Sequence, residues 1–198
     1  MKVQVLENKK KTGKKEVAKK IDPSMKKTLI IVDVQNDFVD GSLGTPEAIN
    51  IIPNVVKKIK GWDGDIICTR DTHFDNYLNT NEGRHLPVPH CIEGTNGHKI
   101  NAEVLDAVTG ADNCTIVDKF TFGSTSIPGD ILKSGYDYIE LVGLCTDICV
   151  ISNALLLKAH YPEIDIAVDA SCCAGVTPES HAAAIMTMKM CQIDVIEN

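Results

Sequence analysis

The sequence predicts a single-domain α/β fold of three layers, with a mainly parallel six-stranded sheet between two layers of helices. Two observations predict this fold class. From Thr28 onward, short apolar runs of strand length alternate with longer segments of helical periodicity. The length of 198 residues suits one domain with a full hydrophobic core, and 43% hydrophobic and 24% charged residues are ordinary globular values.

Six apolar segments are predicted to be the strands of this sheet. Each is too short for a typical helix, and most are rich in β-branched residues, which favour extended backbone. In chain order they are residues 29–32, 65–69, 114–117, 138–142, 164–168 and 193–196. Because strands that alternate with helices are joined by right-handed crossovers, we expect a parallel sheet covered on both faces.

The segments between these strands are predicted to be helices. In chain order they are residues 46–60, 101–108, 128–134, 146–160 and 178–190. The first has apolar residues at helical spacing, namely Ile49, Ile52, Val55, Val56 and Ile59. The fourth follows a Gly143-Leu144-Cys145-Thr146 turn and would carry Cys149 near its start.

Residues 1–24 are predicted to form a basic, flexible extension, and residues 25–198 the domain itself. Residues 1–27 hold ten lysines and three acidic residues, so a chain with a formal charge of −7 has a body of charge −14. An acidic body argues against a nucleic-acid partner. No apolar run approaches the ~20 residues needed to cross a bilayer, and the first residues lack the apolar core of a secretory signal. We expect a cytoplasmic protein without a membrane partner, and the sequence leaves a homo-oligomer open.

The eight cysteines are expected to be reduced. Their even number is compatible with disulfides, but a cytoplasmic chain with this apolar content does not need covalent staples. Most of them are expected to be buried small hydrophobic residues.

Polar residues able to do chemistry follow four of the predicted strands. Asp33 follows the first strand, Asp71 the second and Lys119 the third, while Cys149 lies just beyond the fourth. In parallel sheets, ligands bind at the carboxyl ends of the strands. Each residue alone could have a structural role, such as a turn cap, a surface charge or a core thiol, but the set of four predicts a functional site.

These side chains suit acyl transfer by a cysteine nucleophile. The start of a helix and the nearby Lys119 cation are expected to lower the pKa of the Cys149 thiol. Asp33 could accept the thiol proton and return it to a leaving amine. The backbone N–H groups of Cys145 and Cys149 could stabilise the developing oxyanion.

A second group of residues has the composition of a metal site. Asp71 and His73 are two residues apart, so both can point the same way from an extended segment, and His90 follows further along the chain. One carboxylate and two imidazoles suit a single divalent ion, zinc first, with iron or manganese as alternatives. Glu82 could be a fourth ligand or could support the ligands from outside. His85 is a rival to His90.

Five stretches of the chain together identify a resemblance to a known family. They are residues 31–38, 69–73, 87–91, 117–119 and 143–150. In this order and spacing they resemble the nicotinamidases among the isochorismatase-like cysteine hydrolases, which have a Rossmann-like α/β/α fold. The resemblance runs from about Lys27 to the last residue. It implies that Asp33, Lys119 and Cys149 form a catalytic triad.

The same resemblance implies further roles. Asp71, His73 and His90 match the metal ligands of the family, and Glu82 lies where some members add a carboxylate. The bond between Leu144 and Cys145 is expected to be cis. Two residues are expected to contact the substrate: Phe38 at an aromatic wall of the pocket, and Phe122 near a tyrosine of some members.

The implied reaction is hydrolysis of nicotinamide to nicotinate and ammonia through a thioester, a step of NAD salvage. One departure concerns the substrate. Many members carry Trp or Phe shortly before the second metal histidine, whereas this chain has Leu86-Pro87-Val88-Pro89, so the aromatic clamp on the ring is thinner.

Two other functions remain open at this stage. Relatives that hydrolyse carbamoyl or other small amides share the triad but generally lack the metal residues, whereas isochorismatases proper lack the cysteine. The chain could also be a non-catalytic binding protein that works through its lysine-rich extension. Release of ammonia from nicotinamide would distinguish these possibilities.

Overall fold

A computed structural model describes residues 24–111 and 113–197, so the predicted basic extension lies outside the described residues except for Ser24. The strands are β1 (Lys27–Val32), β2 (Asp65–Asp71), β3 (Cys114–Lys119), β4 (Tyr138–Leu144), β5 (Asp165–Ala174) and β6 (Asp194–Ile196). They form one sheet in the order β3-β2-β1-β4-β5-β6, and every pair of neighbours is parallel. The predicted fold class is confirmed.

Seven α-helices pack on this sheet within the described residues. They are α1 (Asn36–Val39), α2 (Pro46–Lys60), α3 (Asn81–His85), α4 (Ala102–Thr109), α5 (Ile127–Ser134), α6 (Ile151–His160) and α7 (Pro178–Met190). The short helices α1 and α3 were not predicted, because four or five residues cannot display a helical period. The predicted helix 146–160 was wrong at its start, since Thr146–Val150 is a π-helical turn that leads into α6.

The sheet separates two hydrophobic cores. Helices α2 and α4 cover one face, where Val55 and Val104 pack against alternate strand residues such as Leu29 and Ile31. Helices α5, α6 and α7 cover the other face and bury the intervening residues, such as Ile30. Alternation of side chains along each strand therefore fills both cores, which explains why the central strands are apolar throughout.

The chain changes direction across the sheet between β1 and β4. From β1 it moves outward through β2 to β3, and it then returns to β4 and moves the opposite way to β6. Such a reversal opens a crevice at the carboxyl ends of the two central strands. Gly143 lets β4 approach β1 closely here, because it has φ of +119° and a Cβ atom would collide with the carbonyl oxygen of Val32.

The edge strand β3 is less buried than its apolar sequence predicts. It pairs with β2 alone, and its Thr115, Ile116 and Asp118 side chains are exposed. Only its last residue, Lys119, is fully buried. The described residues contain no helix with the length and apolarity needed to cross a bilayer, and all eight cysteines are free thiols.

An ion cluster with two buried carboxylates joins α2 to β4 and β5, away from the carboxyl edge of the sheet. The Lys58 ammonium lies 2.7 Å from both Glu140 Oε1 and Asp169 Oδ2. Tyr138 donates a hydrogen bond to Glu140, and Ser171 donates one to Asp169. Burial lowers the pKa of Lys58, but the hydrogen bonds from its two carboxylate partners outweigh burial and raise that pKa to about 12.

We predict that Lys58→Met lowers the free energy of unfolding by about 3–5 kcal/mol at pH 7, because two buried carboxylates lose their counter-charge. Burial raises the pKa of Asp169 and Lys58 lowers it, so loss of Lys58 raises that pKa, and the penalty in the variant is relieved as this carboxyl takes up a proton at lower pH. The stability gap to wild type should therefore narrow between pH 7 and about pH 5. Urea unfolding of the variant and of wild type at both pH values measures this stability gap. Lys57→Met, at an exposed neighbour on the same helix, is the control. Equal losses in both variants would contradict the prediction.

Candidate active site

The four residues predicted at the carboxyl edge of the sheet come together in the structure. Asp33 directly follows β1, Asp71 and Lys119 end β2 and β3, and Cys149 lies in the turn between β4 and α6. The last residues of β2 and β3 are direct neighbours in register, and Asp33 and Cys149 flank the crevice between β1 and β4. The topology of the parallel sheet thus explains how residues distant in sequence meet.

The Lys119 ammonium is the centre of this group. Its Nζ atom lies 2.6 Å from Asp33 Oδ2, 3.2 Å from Asp71 Oδ1 and 3.5 Å from Cys149 Sγ. It also donates to the backbone carbonyl of Thr121 at 3.2 Å. Burial lowers the pKa of Lys119, but its anionic neighbours, Asp33 foremost and Asp71, raise that pKa above its ordinary value, so the side chain stays cationic.

Asp33 is a fully buried carboxylate with an unusual backbone conformation. Its φ is +48°, and its relative exposure is 0%. Thr69 contacts it twice: the Thr69 hydroxyl donates to Asp33 Oδ1 at 2.6 Å, and the Asp33 backbone N–H donates to the same hydroxyl at 3.1 Å. Burial raises the pKa of Asp33 and outweighs the opposing effect of Lys119. A carboxylate with a raised pKa is a stronger base.

The protonation state of Cys149 differs from the prediction. Burial raises the pKa of its thiol well above the ordinary value, and the neighbouring Asp33 charge raises it further. Lys119 lowers that pKa but does not reverse the shift. The start of the turn is also π-helical, so Cys149 does not occupy the first turn of an α-helix as predicted. The sulfur is therefore a neutral thiol at rest, and its proton must leave as it reacts.

The turn that carries Cys149 is closed by backbone contacts around Cys145. The Leu144–Cys145 peptide bond is cis, as the family resemblance implied. The Cys145 carbonyl accepts hydrogen bonds from the N–H groups of Ile148 and Val150, both at 3.1 Å. Asn153, one turn into α6, donates to the Cys149 carbonyl at 2.8 Å and fixes the end of the turn.

A cluster of possible metal ligands adjoins Lys119. One ligand atom from each of Asp71, His73, Glu82 and His90 lies within 4.8 Å of the others. The Nε2 atom of His73 lies 2.8 Å from Asp71 Oδ2 and 3.4 Å from Glu82 Oε1. The His90 Nε2 atom lies 3.6 Å from Asp71 and 3.7 Å from Glu82. His85 is an exposed residue that contacts the Asn81 carbonyl instead and does not join the cluster.

The donor set fits a divalent metal ion. The His90 Nδ1 atom lies 2.8 Å from the Val88 carbonyl, which holds that nitrogen protonated and leaves the Nε2 lone pair facing the cluster. The His73 Nε2 atom is buried and makes no hydrogen bond despite its carboxylate neighbours. Burial lowers the pKa of His73, but Asp71 and Glu82 outweigh it and raise the pKa to about 9. The cluster therefore attracts positive charge.

Several residues that the sequence did not single out hold these ligands. Tyr77 packs its ring against both metal-site histidines, 4.7 Å from His73 and 5.0 Å from His90 between ring centroids. Gln35 pairs with the backbone of Asp71, accepting from its N–H at 2.7 Å and donating to its carbonyl at 2.9 Å. Thr80 caps the short helix that carries Glu82. Their roles depend on contacts across the chain, for which the sequence carries no periodic signal.

The two aromatic residues expected to contact the substrate lie in different surroundings. Phe38 is buried and packs against the His90 ring at 5.4 Å, at the border of the metal cluster. Phe122 is 47% exposed in the loop that follows Lys119, and its carbonyl accepts a hydrogen bond from Asn153. Phe38 can form an inner wall of the candidate active site, whereas Phe122 lies at the protein surface.

Comparisons with known proteins cover the whole described body. The Isochorismatase domain model matches residues 27–198. The chain is 26% identical over 205 residues to the nicotinamidase of Schizosaccharomyces pombe, covering 85% of this chain and 91% of that protein. A solved nicotinamidase/pyrazinamidase from Bacillus subtilis is 25% identical with a TM-score of 0.76, covering 87% of this chain and 100% of that chain. The pyrazinamidase of Pyrococcus horikoshii in complex with zinc is 26% identical with a TM-score of 0.74, covering 87% and 99%.

The geometry predicts that His73, and not His85, determines metal affinity. His73→Ala removes one of the two imidazoles whose nitrogens belong to the cluster, so zinc affinity should fall by more than about 100-fold. His85→Ala should leave it unchanged, because that side chain faces away from the cluster. Titration calorimetry with zinc on metal-stripped protein measures both. Loss of binding in His85→Ala together with retention in His73→Ala would exclude the site.

Proposed function

Because the chain belongs to the isochorismatase family, we propose that it is a metal-dependent cysteine amidohydrolase whose preferred substrate is nicotinamide. The position of Lys119 gives this proposal its strongest support. One buried ammonium lies within 3.5 Å of a thiol, of a carboxylate that can serve as a base, and of a carboxylate of the metal cluster. That arrangement suits acyl transfer beside a bound metal ion.

The first step is attack of the Cys149 sulfur on the carboxamide carbon of the substrate. Because the thiol is neutral at rest, its proton passes to Asp33 Oδ2 as the S–C bond forms. Lys119 remains charged and stabilises the negative charge that moves between sulfur and carboxylate. The backbone N–H groups of Cys145 and Cys149 stabilise the substrate oxyanion.

Asp33 then completes the reaction as an acid and as a base. It returns the proton to the departing ammonia, and the acyl group stays on Cys149 as a thioester. A water molecule gives a proton to Asp33 and attacks the thioester carbon. The C–S bond then breaks, the carboxylic acid leaves, and Asp33 returns the proton to the Cys149 sulfur, which restores the thiol. Burial raises the pKa of Asp33, which makes the carboxylate a stronger base for accepting each proton.

The metal residues orient the substrate in this scheme. Asp71, His73, Glu82 and His90 would hold a zinc ion, which when bound supplies a Lewis acid for the ring nitrogen of nicotinamide. Phe38 lies against His90 and would contact the ring. Amides without a ring nitrogen gain nothing from these residues.

We predict that Cys149→Ala reduces ammonia release from nicotinamide at least about 10³-fold, because the sulfur that forms the thioester is lost. Cys145→Ala should retain most of the activity, since only its backbone N–H is used. A coupled ammonia assay on metal-loaded proteins measures both rates. The assignment of the nucleophile fails if Cys145→Ala is the inactive variant. The proposed substrate fails if wild type turns over other small amides from a panel but not nicotinamide.

Metal removal should separate positioning of the ring from activation of the thiol. Stripping the metal should lower kcat/KM for nicotinamide by about 100-fold or more, because orientation of the carboxamide is lost. Benzamide, which lacks the ring nitrogen, should be a poor substrate with or without metal. Alkylation of Cys149 by iodoacetamide should change only a few-fold. If alkylation slowed as much as turnover, the metal would activate the nucleophile and this division of roles would be wrong.

A further inference from the structure

Thr69 is a buried residue next to the site for which the proposed reaction has no role so far. It lies on β2, two residues before Asp71, and is 1% exposed. Its hydroxyl both accepts from the Asp33 backbone N–H and donates to Asp33 Oδ1. One small side chain thus holds the left-handed backbone of Asp33 and one of its two carboxylate oxygens.

The direction of these hydrogen bonds follows from the donor inventory. A threonine hydroxyl has one proton, and an ionised carboxylate only accepts. Because the hydroxyl oxygen already accepts from the Asp33 N–H, its proton points to Oδ1 at 2.6 Å. If Asp33 were protonated on Oδ1, two donors would face each other in a buried site and one proton would lose its acceptor.

The second carboxylate oxygen of Asp33, Oδ2, is not held by Thr69 and can exchange protons. Asp33 Oδ2 lies 2.6 Å from the Lys119 ammonium and is buried without a well-aligned hydrogen bond. Cys149 lies 3.5 Å from the same ammonium on the opposite side of the crevice. Oδ2 can therefore accept a proton that leaves the thiol, and the proton stays inside the site.

On the basis of the proposed function, we propose that Thr69 is a positioning residue that reserves Asp33 Oδ2 as the atom that exchanges protons with Cys149 and the leaving ammonia. Without the hydroxyl, the carboxylate can rotate until both oxygens face Lys119. Two contacts between the carboxylate and the ammonium are more favourable than one, and the thiol then has no Asp33 oxygen to accept its proton. Thr69 thus acts through Asp33 and does not touch the substrate.

The test compares variants that differ in the hydroxyl. Thr69→Val keeps the shape and removes the O–H group, whereas Thr69→Ser keeps the O–H group and removes a methyl. Thr28→Val makes the same change at an equally buried threonine at the far end of the neighbouring strand β1. Metal-loaded proteins are assayed for kcat and KM with nicotinamide, for metal content, and for alkylation of Cys149 followed by peptide mass spectrometry.

We expect Thr69→Val to lower kcat by about 100-fold, with KM, metal content and melting temperature close to wild type. Alkylation of Cys149 should slow about tenfold in the same variant. Thr69→Ser should restore kcat to within about fivefold of wild type, and Thr28→Val should leave it unchanged. This combination separates a hydroxyl that orients a base from a side chain that merely fills space.

Three results would overturn the inference: an unchanged kcat in Thr69→Val, an equal loss in Thr69→Ser, or a loss explained entirely by a raised KM and missing metal. If Thr69→Val does not fold, Thr69→Ser and Thr69→Ala provide the same comparison of a side chain with and without the hydroxyl, because both side chains are smaller than threonine. If wild type releases no ammonia from nicotinamide, the proposed function fails. The alkylation rates of the variants still decide the role of Thr69 in that case.

Discussion

The site depends on one constraint, the neutralisation of a buried positive charge. Lys119 has a side chain that is 1% exposed, and such an ammonium is tolerated only with anionic partners at close range. Asp33 and Asp71 provide them from the ends of β1 and β2. Each carboxylate has a second task in the proposed reaction, Asp33 as a base and Asp71 as a metal ligand, so the lysine lies where the thiol and the metal cluster meet.

The sheet topology makes this arrangement possible without long connections. The two central strands part at their carboxyl ends, and Asp33 and Cys149 occupy opposite sides of the opening. Gly143 allows the strands to approach just before they part. Two residues support the possible metal ligands. Tyr77 packs against the rings of His73 and His90, and Gln35 accepts a hydrogen bond from the Asp71 backbone N–H. The ends of β1, β2 and β3 thus position Asp33, Asp71 and Lys119, while Cys149 and the two histidines lie in segments outside the strands.

Much of the fold and the principal site residues could be predicted from the sequence, because both follow from patterns along the chain. Alternating strands and helices indicated a parallel sheet, and the rule for strand ends selected Asp33, Asp71, Lys119 and Cys149. The pKa of Cys149 was predicted in the wrong direction, since the residue types near a thiol are visible in a sequence but its burial is not. Thr69 and Tyr77 were missed for a related reason. Their importance rests on single contacts in three dimensions, which leave no periodic trace.

The position of Lys119 on the edge strand has a consequence for thermal behaviour. Strand β3 lies at an edge of the described sheet and has several exposed side chains, so its hydrogen bonds open more easily than those of the central strands. Its last residue is nevertheless the charge on which the site depends. Fraying of this strand would withdraw the ammonium from Asp33 and Asp71 while the central strands stay folded. Heat inactivation should therefore begin below the temperature of global unfolding and be reversible on cooling, as expected for a local opening.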